Sequence, residues 1–153
     1  MEKSVLSSLL RINRHHRRAL RNALAPYRYV GIMHLIVLYI RRRPGASQEE
    51  ITNFYALDKT SVARDARRLE ELGHIERKIV PENRRQYQLF LTDRGREMLQ
   101  VIDDAFDRFQ QALTAHISPE DWDMLTLLLQ RVEQNVCSAA LPDSVPAVRA
   151  APG

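Results

Sequence analysis

Leu57-Asp58-Lys59-Thr60-Ser61-Val62-Ala63-Arg64-Asp65-Ala66-Arg67-Arg68-Leu69-Glu70-Glu71-Leu72-Gly73 reads as a helix carrying its own start and stop signals. Asp58 is an N-cap residue, because a short acidic side chain can accept the free backbone N–H groups of the first turn. Gly73 follows Leu72, where a left-handed residue closes a helix at little cost. With residues placed at about 100° steps, Val62, Ala66 and Leu69 gather on one side, the expected core side. Thr60, Arg64, Arg67 and Arg68 fall on or near the opposite face, with Ser61 beside them. Hydroxyls in the first turn and arginines along one face suit a DNA major groove, where Arg can bind guanine O6 and N7 bidentately. The alternative is a solvated basic face offset by Asp65, Glu70 and Glu71.

Upstream, Ser47-Gln48-Glu49-Glu50 forms a capping box that opens a short helix through about Tyr55. Residues 29–42 read as a more apolar helix ending at Arg41-Arg42-Arg43-Pro44-Gly45. Residues 3–24 read as a helix with apolar Val5, Leu6, Leu9, Ile12, Leu20 and Leu24, faced by Arg11, Arg14, Arg17, Arg18 and Arg21 and stopped at Pro26. Downstream the period changes to two. Ile75, Arg77 and Ile79 alternate with Glu76 and Lys78, and Tyr87, Leu89 and Leu91 with Gln88 and Phe90, around a polar turn from Pro81 to Arg85. Arg84 and Arg85 on that turn can reach a phosphate or a narrow minor groove. Thr92 caps a helix to about His116, striped with Met98, Ile102, Ala105, Phe109 and Ala112. Ser118-Pro119 starts a last one, striped with Trp122, Leu125, Leu129, Val132 and Val136.

The predicted fold is therefore mainly α with a small β-hairpin wing. A winged helix-turn-helix domain spans 29–92, flanked by an N-terminal dimerisation helix (1–28) and C-terminal dimerisation helices (93–137). Residues 138–153, with Pro142, Pro146 and Pro152 among small side chains, read as a disordered tail. The flanking helices are too long and too apolar to stand alone, so each is expected to pair with a second copy.

Composition narrows the class. At 153 residues and 44% hydrophobic, the chain can bury the core of one ordinary domain, and it is neither disordered nor disulfide-stapled. The longest apolar run, Val30 to Ile40, covers 11 positions, short of the ~18 a membrane span requires. Glu2 and Arg11 around a short Val5-Leu6 patch do not read as a signal peptide. The lone Cys137 cannot close an intrachain disulfide, which fits a cytoplasmic setting, and at the end of the last helix it reads as an inert thiol. The net charge of +4 conceals a gradient: ten Lys/Arg against one acid in residues 1–43, eight of each sign in 44–91, and five against ten in 92–153. The basic N-terminal helices are expected to pair with Asp93, Asp103, Asp104 and Asp107 across a dimer arm, Arg41 to Arg43 adding a nonspecific pull on DNA.

The ordered set Leu57 to Arg64, Leu69-Glu70-Glu71-Leu72-Gly73-His74-Ile75-Glu76-Arg77, Asn83-Arg84-Arg85 and Leu91-Thr92-Asp93-Arg94-Gly95 resembles the multiple antibiotic resistance regulator (MarR) family, over roughly residues 5–137. The resemblance implies a bacterial, cytoplasmic homodimer that binds a pseudo-palindromic operator in double-stranded DNA and is released by a small, often aromatic, ligand. It sets Thr60, Ser61, Arg64 and Arg68 where family members read DNA, and Arg85 where the wing enters the minor groove. The full expected DNA-binding set is Ser47, Lys59, Thr60, Ser61, Arg64, Arg67, Arg68, Arg84 and Arg85. Two features depart from the family pattern: Asn83 stands for a wing Asp, and Val30, Gly31 and His34 for a Leu-Thr pair and a Gln at the second helix. Gly31 can cap that helix, less well than Thr.

The resemblance also points to a ligand crevice between the first, second and fifth major helices. Arg11, Tyr27, Tyr29, His34 and Tyr39 are its candidate liners, although each is equally consistent with ordinary packing. No H-x-x-x-H, H-E-x-x-H, Gly-rich phosphate loop or G-x-S-x-G pattern occurs, so no catalysis, metal or cofactor is expected. The expected function is a homodimeric transcriptional repressor. The alternative is a winged helix used for protein–protein contact without specific DNA binding.

Overall fold

The computed structural model describes residues 4–139, and the side chains of residues 83–86 lie outside that description. Helix α1 (Val5–Leu24) runs into a single 3-10 turn, Ala25–Tyr27, followed by α2 (Met33–Arg42), α3 (Gln48–Tyr55) and α4 (Lys59–Glu71). The hairpin β1 (Ile75–Val80) and β2 (Asn83–Leu91) precedes α5 (Asp93–Thr114) and α6 (Pro119–Ser138). The chain divides into two compact units after Gln111. Among the described residues, no helix is long and apolar enough to cross a membrane.

The core of the first unit lies where α2, α3, α4 and the hairpin pack on one another. Met33, Ile36, Val37, Ile51, Val62, Ala66, Leu69, Leu89 and Ile102 are wholly excluded from water. Each such large side chain contributes about 1.5–3 kcal/mol on burial. The expected core side of α4, Val62, Ala66 and Leu69, is therefore observed.

Local chemistry sets most boundaries. Ser47 Oγ accepts from the Glu50 N–H at 3.2 Å while Glu50 Oε2 accepts from the Ser47 N–H at 2.7 Å, completing the capping box of α3. Asp58 Oδ2 accepts from the Ser61 N–H at 2.8 Å, and Ser118 Oγ from the Asp121 N–H at 3.1 Å. Thr92 Oγ1 accepts from the Gly95 N–H at 3.1 Å and donates to the Gly73 carbonyl at 2.6 Å, so one hydroxyl starts α5 and ties it to the end of α4. The hairpin is antiparallel, with Ile75 opposite Leu91 and Ile79 opposite Tyr87. Leu89 exchanges backbone hydrogen bonds with Gly45 and Ala46 at 2.9 Å each, which pins the wing to the loop before α3.

Three boundaries differ from those expected. The second helix begins at Met33 rather than near residue 29, because Arg28 and Gly31 both take left-handed backbone, at φ 63° and 57°. The turn of the hairpin is only Pro81-Glu82, so Arg84 and Arg85 belong to β2. Helix α5 ends at Thr114, and His116 beyond it has φ 62°. Helix α6 has no buried residue, and Leu125, Val132 and Val136 are among its exposed apolar side chains. The expected disordered tail falls almost wholly outside the described residues.

Candidate nucleic-acid interface

Because Val62, Ala66 and Leu69 anchor α4 in the core, its other side is left to solvent. Lys59, Thr60, Arg64, Arg67 and Arg68 are exposed and Ser61 is half-buried, so α4 brings six of the nine expected DNA-contacting residues together. Asp58 already occupies the Ser61 N–H, which removes one backbone donor from the set available to a phosphate at this end. Arg67 pairs with Glu71 one turn on, at 3.0 Å. Ser47 stands apart from this face: it is buried, and its hydroxyl caps α3. The side chains of Arg84 and Arg85 lie outside the described residues.

Asp65, which enters the sequence reading only as an offset to the arginines in the alternative of a solvated basic face, is completely buried. One oxygen, Oδ1, accepts from Arg64 Nε at 2.9 Å and from Arg68 Nη1 at 3.4 Å, while Oδ2 accepts from the Ile32 backbone N–H at 3.0 Å. The hydrogen bond to Asp65 raises the affinity of the Arg64 guanidinium for its proton. Helix α2 has no side-chain cap of its own, and the backbone turns through Gly31 rather than being capped by it. A Cβ on Gly31 would stand 2.3 Å from Asp65 Oδ2, so the glycine leaves room for the carboxylate. The signal available in the sequence was an acid three positions beyond Val62 and one before Ala66, close to the apolar side of the helix.

The basic run after α2 is also engaged. Arg41 Nη1 meets both oxygens of Asp103 on α5, at 2.9 and 2.8 Å, Arg43 pairs with Glu50 at 3.1 Å, and Arg42 lies over the Phe54 ring. Asp103 thus pairs within the chain, with α2. Of the other acids expected across a dimer arm, Asp93 pairs with Arg96 and Asp104 accepts from Gln100.

The five candidate ligand liners do not form one site. Tyr27 lines a cavity of about 400 Å³ together with Arg28, Leu72, His74, Arg94, Glu97, Met98 and Val101. Tyr29 is buried and its hydroxyl lies 2.9 Å from Nδ1 of His74, which lines that cavity. Burial pushes the Tyr29 phenol up, and burial with the Arg94 charge lowers His74. Tyr39 instead packs with Phe54 and Tyr55, and Arg11 is exposed, donating to Ser8. His34 is half-buried, and burial, helped by the charge of His16, lowers its pKa to about 4. Among the described residues no group of His, Cys, Asp and Glu side chains is placed to hold a metal ion, and Cys137 is exposed.

A MarR family model matches residues 32–86, the span from α2 into the wing. The chain is similar to the HTH-type transcriptional regulator BilQ of Clostridioides difficile, 27% identical over 110 residues that cover 72% of this chain and 74% of that protein. It is similar to a crystal structure of MarR, 31% identical, with a TM-score of 0.77 over 90% of this chain and 95% of the other. A MarR family regulator from Listeria monocytogenes, solved in complex with 26mer DNA, shares the fold at a TM-score of 0.75 and 21% identity, over 88% of this chain and 90% of that one.

Proposed function

The chain belongs to the MarR family of transcriptional regulators, and on that footing we propose that it is a homodimeric, cytoplasmic repressor whose α4 reads a pseudo-palindromic operator. The observation that carries the reading is the cluster of Lys59, Thr60, Arg64, Arg67 and Arg68 on the exposed side of a helix whose other side is locked into the core. The DNA-bound state of the Listeria relative supports it. Two copies of α4 would enter successive major grooves about 34 Å apart, with Arg84 and Arg85 of each wing at the flanking minor grooves.

Dimerisation is supported by apolar surface left open within the chain. Val5, Leu6 and Leu10 on α1 are exposed, as are Met124, Leu125, Leu127 and Leu128 on α6. A surface of this kind, repeated on two long helices, is the mark of an obligate partner. The domain division proposed is an N-terminal dimerisation helix over 1–28, a DNA-reading domain over 29–92 and dimerisation helices over 93–137.

The effector site proposed is the cavity of about 400 Å³ beside His74 and Tyr27, large enough for a small aromatic molecule. Its rim joins the loop before α2, the end of α4 and the start of α5, so a ligand there can favour one placement of α4 over another. It weakens DNA binding only in so far as it prefers one of the two states.

A mobility-shift titration against the DNA upstream of the coding sequence tests the reading. A shifted band at low salt, reversed by a small aromatic ligand, is expected. No shift at any salt would favour the winged helix as a protein-binding module.

A further inference from the structure

We infer that Asp65 is a positioning residue for DNA reading: it fixes how Arg64 and Arg68 present their guanidinium groups and so sets base discrimination. The inference rests on the reading of α4 as the DNA-contacting helix. A carboxylate shut away from water is tolerated only where donors surround it. Among the described residues Asp65 meets three, and its two oxygens divide the work. Oδ2 holds the backbone N–H of Ile32, joining α4 to the start of α2. Oδ1 holds Arg64 and Arg68, both of whose side chains remain about half exposed, at 53% and 47%.

That geometry restricts what Arg64 can do. Guanidinium can grip guanine through a side edge, which uses Nε, or end-on through its two terminal nitrogens. With Nε committed to Asp65 at 2.9 Å, the end-on pair remains. Two guanidinium groups sharing one buried acceptor also lose the freedom to wander onto neighbouring phosphates. A fixed fork discriminates between bases, whereas a loose one adds affinity for any sequence. Asp65 further offsets one of the two positive charges, which lowers the sequence-independent attraction to DNA.

Asp65→Asn separates the two duties of the carboxylate. The amide oxygen can still accept from Ile32, but its NH2 then faces the arginines as donor against donor and releases them. The probe is a duplex pool of randomised sequence, from which wild-type protein selects its preferred site, compared with a scrambled duplex of the same composition. For D65N the ratio of selected to scrambled affinity should fall at least about fivefold, the lower end of what one bidentate base contact provides. Binding to the scrambled duplex should strengthen with a steeper salt dependence. An unchanged ratio, including equal loss on both duplexes, would show that Asp65 only holds α4 against α2 and would overturn the inference. In an Arg64→Ala background most of the D65N effect should vanish, and persistence in full would overturn the route through Arg64. Wild-type protein that retains nothing from the pool would overturn the DNA-reading role of α4, and this inference with it. If D65N does not fold, the wild-type protein still decides. The Nε–H of Arg64, assigned by its loss in Arg64→Lys, should exchange with water more slowly than that of exposed Arg14. Equal exchange would remove the hydrogen bond on which the inference stands.

Discussion

The Tyr29 hydroxyl and Nδ1 of His74 meet at 2.9 Å in the interior, joining the loop before α2 to the residue that leads into β1. Both side chains are buried, so each satisfies a group that water cannot reach. Tyr29→Phe keeps the ring and removes the partner, leaving the histidine nitrogen unpaired. A loss of about 1–3 kcal/mol is expected in urea unfolding. An unchanged midpoint with an unchanged slope would show that water from the neighbouring cavity takes the place of the hydroxyl.

Gly95 is needed for an approach rather than for a turn. It lies in the first turn of α5, and a Cβ there would stand 2.0 Å from the backbone carbonyl oxygen of His74. That oxygen already accepts from the Thr92 N–H at 3.1 Å, so neither side can retreat without opening the junction between β1 and α5. Gly95→Ala should cost at least about 1–3 kcal/mol despite the better helix propensity of alanine. A variant as stable as the parent in thermal unfolding would contradict the close approach.

His34 makes stability depend on pH. Its folded pKa lies near 4 against 6.5 for a free histidine, because burial disfavours the charged ring and His16 adds repulsion. The unfolded chain therefore binds the proton first as pH falls. Stability is full above about 6.5 and declines through that window to about 4, with His34 contributing on the order of 3 kcal/mol of loss by the lower end. His74, lowered in the same direction, adds to the trend. His34→Gln should flatten the decline measured by chemical denaturation between these limits. An equally steep decline in the variant would place its cause elsewhere.

The contrast between Val62 and Asp65 explains how far the sequence could be read. Caps, stop signals and the change of period from helix to hairpin are local, so the helix starts at Ser47, Asp58, Thr92 and Ser118 are legible unaided, although Ser47, also expected at DNA, is buried in its cap. The arginine face of α4 was equally legible, because an amphipathic helix advertises both sides. Asp65 was not, because its meaning depends on a backbone N–H that is 33 positions away in sequence. The start of α2 is obscured for a related reason: hydrophobicity continues through residues 29–32, and only the left-handed Arg28 and Gly31 break the helix. The cavity could not be read either, since its walls come from three separate segments of the chain.

The wing and the helix should answer to different measurements. Arg85 is proposed to reach a minor groove, where guanidinium is held by potential more than by a base pattern. Arg85→Ala should weaken binding to selected and scrambled duplexes alike. It should also reduce the slope of log affinity against log salt by about 0.9 for each phosphate that is no longer neutralised. A slope identical to that of the parent would reject the placement of the wing against DNA.

Arg64 and Arg67 share the exposed side of α4 but not its constraints, which makes them a matched pair. Arg64 is held by the buried Asp65, whereas Arg67 pairs, among the described residues, with Glu71, one turn away and itself exposed at 61%. A surface i,i+4 pair of that kind contributes about 0.3–0.5 kcal/mol and leaves its guanidinium free to exchange partners. Arg64→Ala should therefore remove discrimination at one operator position, costing about 1–3 kcal/mol there and little on scrambled DNA. Arg67→Ala should instead weaken both duplexes by a similar factor, as expected of a phosphate contact. Competition titrations with single-base operator variants measure the difference. Equal loss on every sequence for Arg64→Ala, matching Arg67→Ala, would remove base reading from Arg64 and leave α4 as an electrostatic contact.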